Sequence, residues 1–179
     1  MFKISLTGDL GSGKSTVCDL IQKKIEVERV SVGKIMRNRA KELGLTLAEF
    51  SAYMETHPEE DNKLDEALSE YEKKDGNYIF DSRLAWHFVP SAFSFYLTVS
   101  LDESARRIYN ANRDDESFSS IEETKAKIVE RRLSEQKRYK TFYGLDLLDM
   151  TNYDAVVSTD GKTPEEVVEQ IFKIYEERR

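Results

Sequence analysis

The chain has 179 residues and a formal net charge of −7, with 39% hydrophobic and 34% charged residues. This size and composition suit one globular domain, and we expect a single domain over residues 1–179. The acidic balance argues against a nucleic-acid surface, and no apolar run is long enough to span a bilayer. No signal peptide precedes the first glycine-rich loop, so we expect a cytoplasmic protein, monomeric, with no nucleic-acid or membrane partner.

Five β-prone runs alternate with helical patterns along the chain. We predict strands over residues 2–7, 27–30, 78–80, 93–99 and 154–158, and helices over 14–25, 34–43, 60–74 and about 102–112. Side-chain caps are expected at four helix starts, namely Thr46 with Glu49, Asp102, Ser120 with Glu123, and Thr163 with Pro164 and Glu166. This alternation predicts an α/β, three-layer fold around a five-stranded parallel sheet, with ligands at the carboxyl ends of the strands.

A phosphate-binding motif lies between the first strand and the first helix. The motif G-x-x-x-x-G-K-[ST] is fitted by Gly8, Asp9, Leu10, Gly11, Ser12, Gly13, Lys14 and Ser15, and Thr16 follows. In such a loop the backbone amides face an anion, Lys14 reaches the β- and γ-phosphates, and the Ser15 hydroxyl can ligate Mg²⁺. We therefore expect residues 8–16 to bind ATP with magnesium. The alternative is an ordinary glycine turn before a helix.

Two later segments are candidates for a second anion site. Asp81 and Arg83 follow the third predicted strand, where the carboxylate can hold the water shell of magnesium and the arginine can project into the same crevice. Gly33 is expected to start a helix that places Arg37 one turn in. The alternatives are a surface ion pair for Asp81 with Arg83 and a solvated position for Arg37.

A small basic segment occurs late in the chain. Residues 125–140 contain seven Lys or Arg and two Glu, a number suited to a few phosphates and not to a duplex. The alternative is a solvated helical face. The remaining reactive side chains are interpreted as structural: Cys18 as a buried core thiol, His57 at a helix end and His87 in a buried turn.

The motifs as a set resemble a known family. Its order is G-x-x-G-x-G-K-S-T at residues 8–16, S-x-G-x-x-x-R at 31–37, D-S-R-L-A at 81–85, R-Y-K-T-F-Y-G-L-D at 138–146 and N-Y-D at 152–154. This order resembles that of the archaeal-type cytidylate kinases and their bacterial relatives, over essentially the whole chain. The resemblance implies the P-loop NTPase fold with a helical flap for the nucleoside monophosphate (NMP) and a helical lid.

The resemblance also implies roles for individual residues. Arg37 and Arg83 would hold the acceptor phosphate, Gly33 would also line the substrate site, and Asp81 would lie near magnesium. The arginines closing over the transferring phosphoryl group would be Arg131, Arg132 and Arg138, with Arg113 at the lid entrance. The expected division is a core of about 1–36, 76–112 and 150–179, an NMP-binding region of about 37–75 and a lid of about 113–149.

The expected function is transfer of a phosphoryl group from ATP to an NMP, with CMP or dCMP as the acceptor. The acceptor phosphate is already ionised, so no catalytic base is required. Better-studied bacterial cytidylate kinases read cytosine with a serine and an aspartate, and Val32 and Leu84 stand at the matching positions. Two alternatives remain: a kinase for a hydroxyl-bearing metabolite with Asp81 as general base, and a non-catalytic ATP-binding switch.

Overall fold

A computed structural model describes residues 1–111 and 118–178. Its centre is a parallel sheet of five strands in the order β2-β3-β1-β4-β5. The strands are β1 (Lys3–Gly8), β2 (Glu28–Ser31), β3 (Tyr78–Asp81), β4 (Phe93–Thr98) and β5 (Ala155–Ser158). The prediction of an α/β fold with five parallel strands is confirmed, and each strand limit lies within one residue of the predicted one.

Eight α-helices surround the sheet in the described ranges. They are α1 (Lys14–Lys24), α2 (Val32–Glu42), α3 (Leu47–Met54), α4 (Pro58–Ser69), α5 (Ala85–Phe88), α6 (Leu101–Asn110), α7 (Ile121–Tyr143) and α8 (Pro164–Arg178). Short 3-10 turns occur at Glu70–Lys73 and Met150–Asn152. Among the described residues, none of the helices is both long enough and apolar enough to cross a membrane.

Strand register brings the loop-bearing ends of three strands together. β1 lies at the centre, with Leu6 opposite Asp81 of β3 and Gly8 opposite Leu97 of β4. Because all strands are parallel, the segments that follow Gly8, Asp81 and Thr98 leave the same edge of the sheet. This edge is where the sequence places its phosphate motif.

Apolar clusters cover both faces of the sheet. On one face, Ile4, Leu6 and Phe95 pack against α1 and α8. On the other face, Phe80 belongs to a cluster that includes Leu68 of α4. Helices α2 to α4 also have an apolar cluster of their own, formed by buried Ala40, Phe50 and Met54. The segment α2–α4 is therefore a small packed unit attached to the edge of the main core.

Two predicted helix starts are confirmed because their bonds are local. The Thr46 hydroxyl accepts from the Glu49 amide at 3.2 Å, and the Glu49 carboxylate accepts from the Thr46 amide at 2.7 Å. Pro164 begins α8, with Thr163 and Glu166 bonded in the same reciprocal way.

Three local expectations are wrong. Ser100 and not Asp102 caps α6, because the Ser100 hydroxyl accepts from the Glu103 amide. Ser120 caps α7 as expected, but the Glu123 carboxylate bonds to Ser119 at 2.7 Å, so the pair is not a reciprocal capping box. His87 is exposed on the short helix α5 and not buried in a turn.

Candidate functional site

The phosphate motif forms a loop between β1 and α1. Gly11 and Gly13 both have positive φ, at 73° and 83°, which turns the chain back toward the start of α1. In the described part of the chain, the amides of Gly13, Lys14 and Ser15 donate to no other group, as expected for the first turn of a helix. The Ser12 hydroxyl is buried and also has no partner there. The loop thus presents a set of unused polar groups, which fits a bound polyphosphate.

Lys14 lies across the carbonyl side of this loop. Its ammonium donates to the carbonyl oxygens of Gly8 at 3.0 Å and Asp9 at 3.2 Å. Burial and, next, the charge of Arg83 lower the pKa of Lys14 to about 7. Lys14 is therefore held at the loop, in a place where an added anion would stabilise its charged form.

Asp9 is a carboxylate inside the phosphate loop. It accepts hydrogen bonds from the Tyr96 hydroxyl at 2.9 Å and from the Val99 amide at 3.1 Å, and it forms an ion pair with Arg132 of α7. Burial and the nearby Asp9 charge raise the pKa of Tyr96 to about 12. A cavity lies against these residues and is also lined by Glu135. Asp9 thus connects the loop to α7 and β4.

Asp81 and Ser15 are the candidate magnesium residues. Asp81 ends β3, and its carboxylate accepts from Arg29 at 2.6 Å and from the Ser31 hydroxyl at 3.3 Å. Arg29 also donates to Asp19 of α1 at 2.6 Å and to the Ser15 carbonyl at 3.5 Å. The Arg29 guanidinium therefore connects β3, which carries Asp81, to α1, which carries Ser15. Hydroxyl and carboxylate oxygens are the ligands that Mg²⁺ takes, so the donor set fits.

Arg83, the predicted acceptor-side arginine, lies beside the phosphate loop. Its Nη1 donates to the Gly8 carbonyl, and its Nε pairs with Glu135 of α7 at 3.1 Å. Glu135 also pairs with Arg131 at 3.2 Å. The structure therefore joins the end of β3, the start of the loop and the long helix through one arginine.

The other predicted arginines occupy different environments. Arg131 and Arg132 face the cleft through Glu135 and Asp9, whereas Arg138 is buried and stacks on the Tyr139 ring at 4.8 Å. Arg37 is exposed on α2, and its guanidinium lies 3.7 Å from the position that a Cβ on Gly33 would occupy. Arg113 lies outside the described residues.

Sequence reasoning missed Arg107 as well as Arg29. Arg107 of α6 donates to the Gly11 carbonyl at 3.3 Å and to the Thr159 carbonyl at 2.8 Å, so it connects the phosphate loop to the turn after β5. In the sequence it is indistinguishable from its neighbour Arg106, since both lie within a turn of Glu103 and both pair with it. Only the tertiary contacts separate the two.

The two positions that match cytosine-reading residues in bacterial enzymes are apolar here and packed. Val32 belongs to the cluster around Phe80. Leu84 is buried against Tyr139 and Leu147. Neither side chain offers a hydrogen bond to a base, so the site has no polar group at these positions.

Comparisons with known proteins agree with this geometry. A family model described as an AAA domain matches residues 4–140. A cytidylate kinase of Thermoplasma volcanium is 36% identical over 92% of this chain and 86% of its own length. An S-adenosylmethionine-dependent nucleotide dehydratase of Lacinutrix mariniflava is 40% identical over 97% of this chain, but the chain spans only 36% of that relative.

Among solved structures, shikimate kinase from Aquifex aeolicus superposes with a TM-score of 0.57 at 23% identity, covering 97% of this chain and 95% of that one. This likeness concerns the fold alone. The phosphate loop, the arginine beside it and the near full-length match to a cytidylate kinase agree with one another. The chain therefore belongs to the cytidylate kinase-like family of P-loop nucleoside-monophosphate kinases.

Proposed function

We propose that this protein transfers the γ-phosphoryl group of ATP to a nucleoside monophosphate, with CMP or dCMP as the acceptor, giving ADP and the diphosphate. The observation that carries this proposal is the position of Arg83 against the Gly8 carbonyl, directly beside the phosphate loop. A cation in this place would hold a second phosphate facing the first. The 36% identity to a cytidylate kinase supports a monophosphate that carries cytosine as the acceptor.

The proposed reaction needs positioning more than proton transfer. An ionised oxygen of the acceptor phosphate attacks the γ-phosphorus, the bond to the bridging oxygen breaks, and ADP leaves with the electron pair. Lys14, Arg83 and Arg132 would offset charge on the phosphoryl oxygens. Ser15 and Asp81 would hold magnesium, which would supply further charge neutralisation. Arg29 and the Ser31 hydroxyl both bond to Oδ2 of Asp81, so in the described ranges Oδ1 is the oxygen of that carboxylate left for magnesium.

We also propose the acceptor-binding region and the lid that are expected from the sequence. Residues 37–75 form the acceptor-binding region, supported by the separate apolar cluster of α2–α4. Residues 113–149 form the lid, of which residues 118–149 are described, and the contacts of α7 with Asp9 and Arg83 support this role.

A coupled assay of ADP release with MgATP tests the proposal. The acceptor panel is CMP, dCMP, UMP, AMP, GMP and TMP, with hydroxyl metabolites such as shikimate as a second panel. We expect turnover with the cytidine nucleotides and loss of turnover in Lys14→Ala. Transfer only to a hydroxyl metabolite, or near wild-type turnover in Lys14→Ala, would refute the proposal. Tight ATP binding without transfer to any acceptor would favour a switch.

A further inference from the structure

One short stretch of α7 contacts all three parts of the proposed active site. Within residues 132–135, three side chains reach the phosphate loop, the end of α3 and the end of β3, through the pairs Arg132 with Asp9, Ser134 with Glu55, and Glu135 with Arg83. Two of these contacts involve a carboxylate from outside α7. In the third, Glu135 brings a carboxylate from α7 into a cationic cleft, and it is the unusual member of the set.

Glu135 lies among positive charges. Its two oxygens pair with Arg83 Nε at 3.1 Å and with Arg131 Nε at 3.2 Å. Burial alone would raise the pKa of Glu135, but the charges of Arg83, Arg131 and Arg138 outweigh burial and lower it. Glu135 is therefore an ionised carboxylate that, with Asp9, lines a cleft also lined by Arg83 and Arg132.

The contacts of Arg83 suggest what this carboxylate does. Arg83 Nε is engaged by Glu135 and Nη1 by the Gly8 carbonyl, while Nη2 has no hydrogen-bond partner in the described ranges. With two of its three nitrogens fixed, the guanidinium plane is fixed, and the remaining nitrogen is available to a ligand. The positive charges of Arg83 and Lys14 also repel each other. Glu135 lies close enough to both to offset this repulsion.

We propose that Glu135 is a positioning residue for acceptor binding. It is carried on the lid helix and fixes Arg83 so that Nη2 faces the acceptor phosphate, and docking of α7 thereby completes the acceptor site. This inference rests on the proposed function, in which Arg83 holds that phosphate. The opposite reading is that Glu135 takes the position of the acceptor phosphate on Arg83 and must be displaced when the acceptor binds. The two readings predict opposite changes in acceptor affinity.

The test compares Glu135→Gln and Glu135→Ala with a matched control, Glu130→Gln. Glu130 lies on the same helix but is mostly exposed and pairs only with Lys127 among the described residues. Steady-state kinetics with CMP and ATP should show KM for CMP raised about ten-fold in Glu135→Ala, because Arg83 loses the ion pair that orients it. Glu135→Gln keeps nearly the size of the side chain and removes only its charge, so its effect on KM for CMP should be smaller than that of Glu135→Ala. KM for ATP should change less than about two-fold, and Glu130→Gln should match wild type.

A second measurement does not depend on which base the acceptor carries. With the phosphate loop saturated by MgADP, inorganic phosphate is titrated while the unfolding temperature is followed. Phosphate should stabilise wild type and Glu130→Gln, and this shift should be lost in Glu135→Ala. A lower KM for CMP or a larger phosphate shift in Glu135→Ala would establish the opposite reading and overturn the proposal. Equal increases in both KM values would instead indicate a general packing role and overturn it as well.

If wild type turned over no monophosphate but phosphate still shifted its unfolding temperature in a Glu135-dependent way, the proposed acceptor would be wrong while the positioning role stood. The turnover assay therefore tests the acceptor, and the phosphate titration tests the positioning role of Glu135 separately.

Discussion

In the absence of nucleotide, replacing Gly11 with alanine should destabilise the protein more than the same change at Gly13. Both residues have positive φ, which costs an L-residue about 1–2 kcal/mol. At Gly11 an added Cβ would also lie 2.7 Å from the hydroxyl and 3.0 Å from the carbonyl oxygen of Ser104. At Gly13 no heavy atom lies within 4 Å of that position among the described residues. The pair of variants therefore separates the steric contact from the backbone term.

Ser104 has little room to give way. It is 2% exposed in α6, and its hydroxyl donates to the Leu10 carbonyl at 2.6 Å. Forcing an extra methyl into such a packed contact costs about 1–3 kcal/mol. We expect Gly11→Ala to lose about 2–5 kcal/mol of unfolding free energy and Gly13→Ala about 1–2 kcal/mol.

Urea unfolding without nucleotide measures both losses, because a bound ligand would add its own stabilisation. Equal losses in the two variants would refute the reasoning. They would mean that the loop moves away from α6 at no cost, and that the contact with Ser104 does not fix the shape of the loop.

Three further outcomes are expected. Because the pKa of Lys14 is lowered to about 7, nucleotide binding at pH 8 should take up protons as the polyphosphate restores the ammonium. Calorimetry in two buffers of different ionisation enthalpy would show this uptake, and equal apparent enthalpies would contradict it. Hydrogen bonds from Arg39 and then Lys63 lower the pKa of Glu60 to about 2, so its contribution to stability is present above pH 4.5 and is lost as the pH falls toward 2. The destabilisation caused by Glu60→Gln in urea unfolding should accordingly shrink from pH 6 to pH 3, and a constant difference would argue against the pair. Burial raises the pKa of the Cys18 thiol to about 12, so a disulfide reagent at pH 8 should react only when urea unfolds the protein; rapid reaction of the native protein would contradict this.

The sequence predicted the elements well where a signal is local. Thr46 and Glu49 bond within one turn, and so do Thr163 and Glu166, so their spacing alone reveals the helix starts. The start of α6 was predicted wrongly, because the competing cap depends on a distant residue. Asp160, in the turn after β5, binds the amide and the hydroxyl of Ser100 and so stabilises Ser100 at that position.

The same distinction applies to the site. The phosphate loop is one contiguous motif with its chemistry readable in order, and Arg83 follows a buried strand that ends beside the loop. The partners of these residues could not be predicted. Arg29, Arg107 and Glu135 come from β2, α6 and α7, and each looks like an ordinary surface charge until the fold brings it to the loop or to Arg83.

The contacts in the cleft also indicate how phosphates would bind. Lys14 lies on loop carbonyls, Arg132 pairs with Asp9, and Arg83 pairs with Glu135. An incoming phosphate therefore meets cations that already have partners. Its binding replaces these contacts with contacts to phosphate oxygens. Exchange lowers the net gain from each contact, but it keeps the cations ordered before the ligand arrives, so less ordering entropy is lost on binding. A ligand that satisfies several of these cations at once, as two facing phosphates do, gains most from this arrangement.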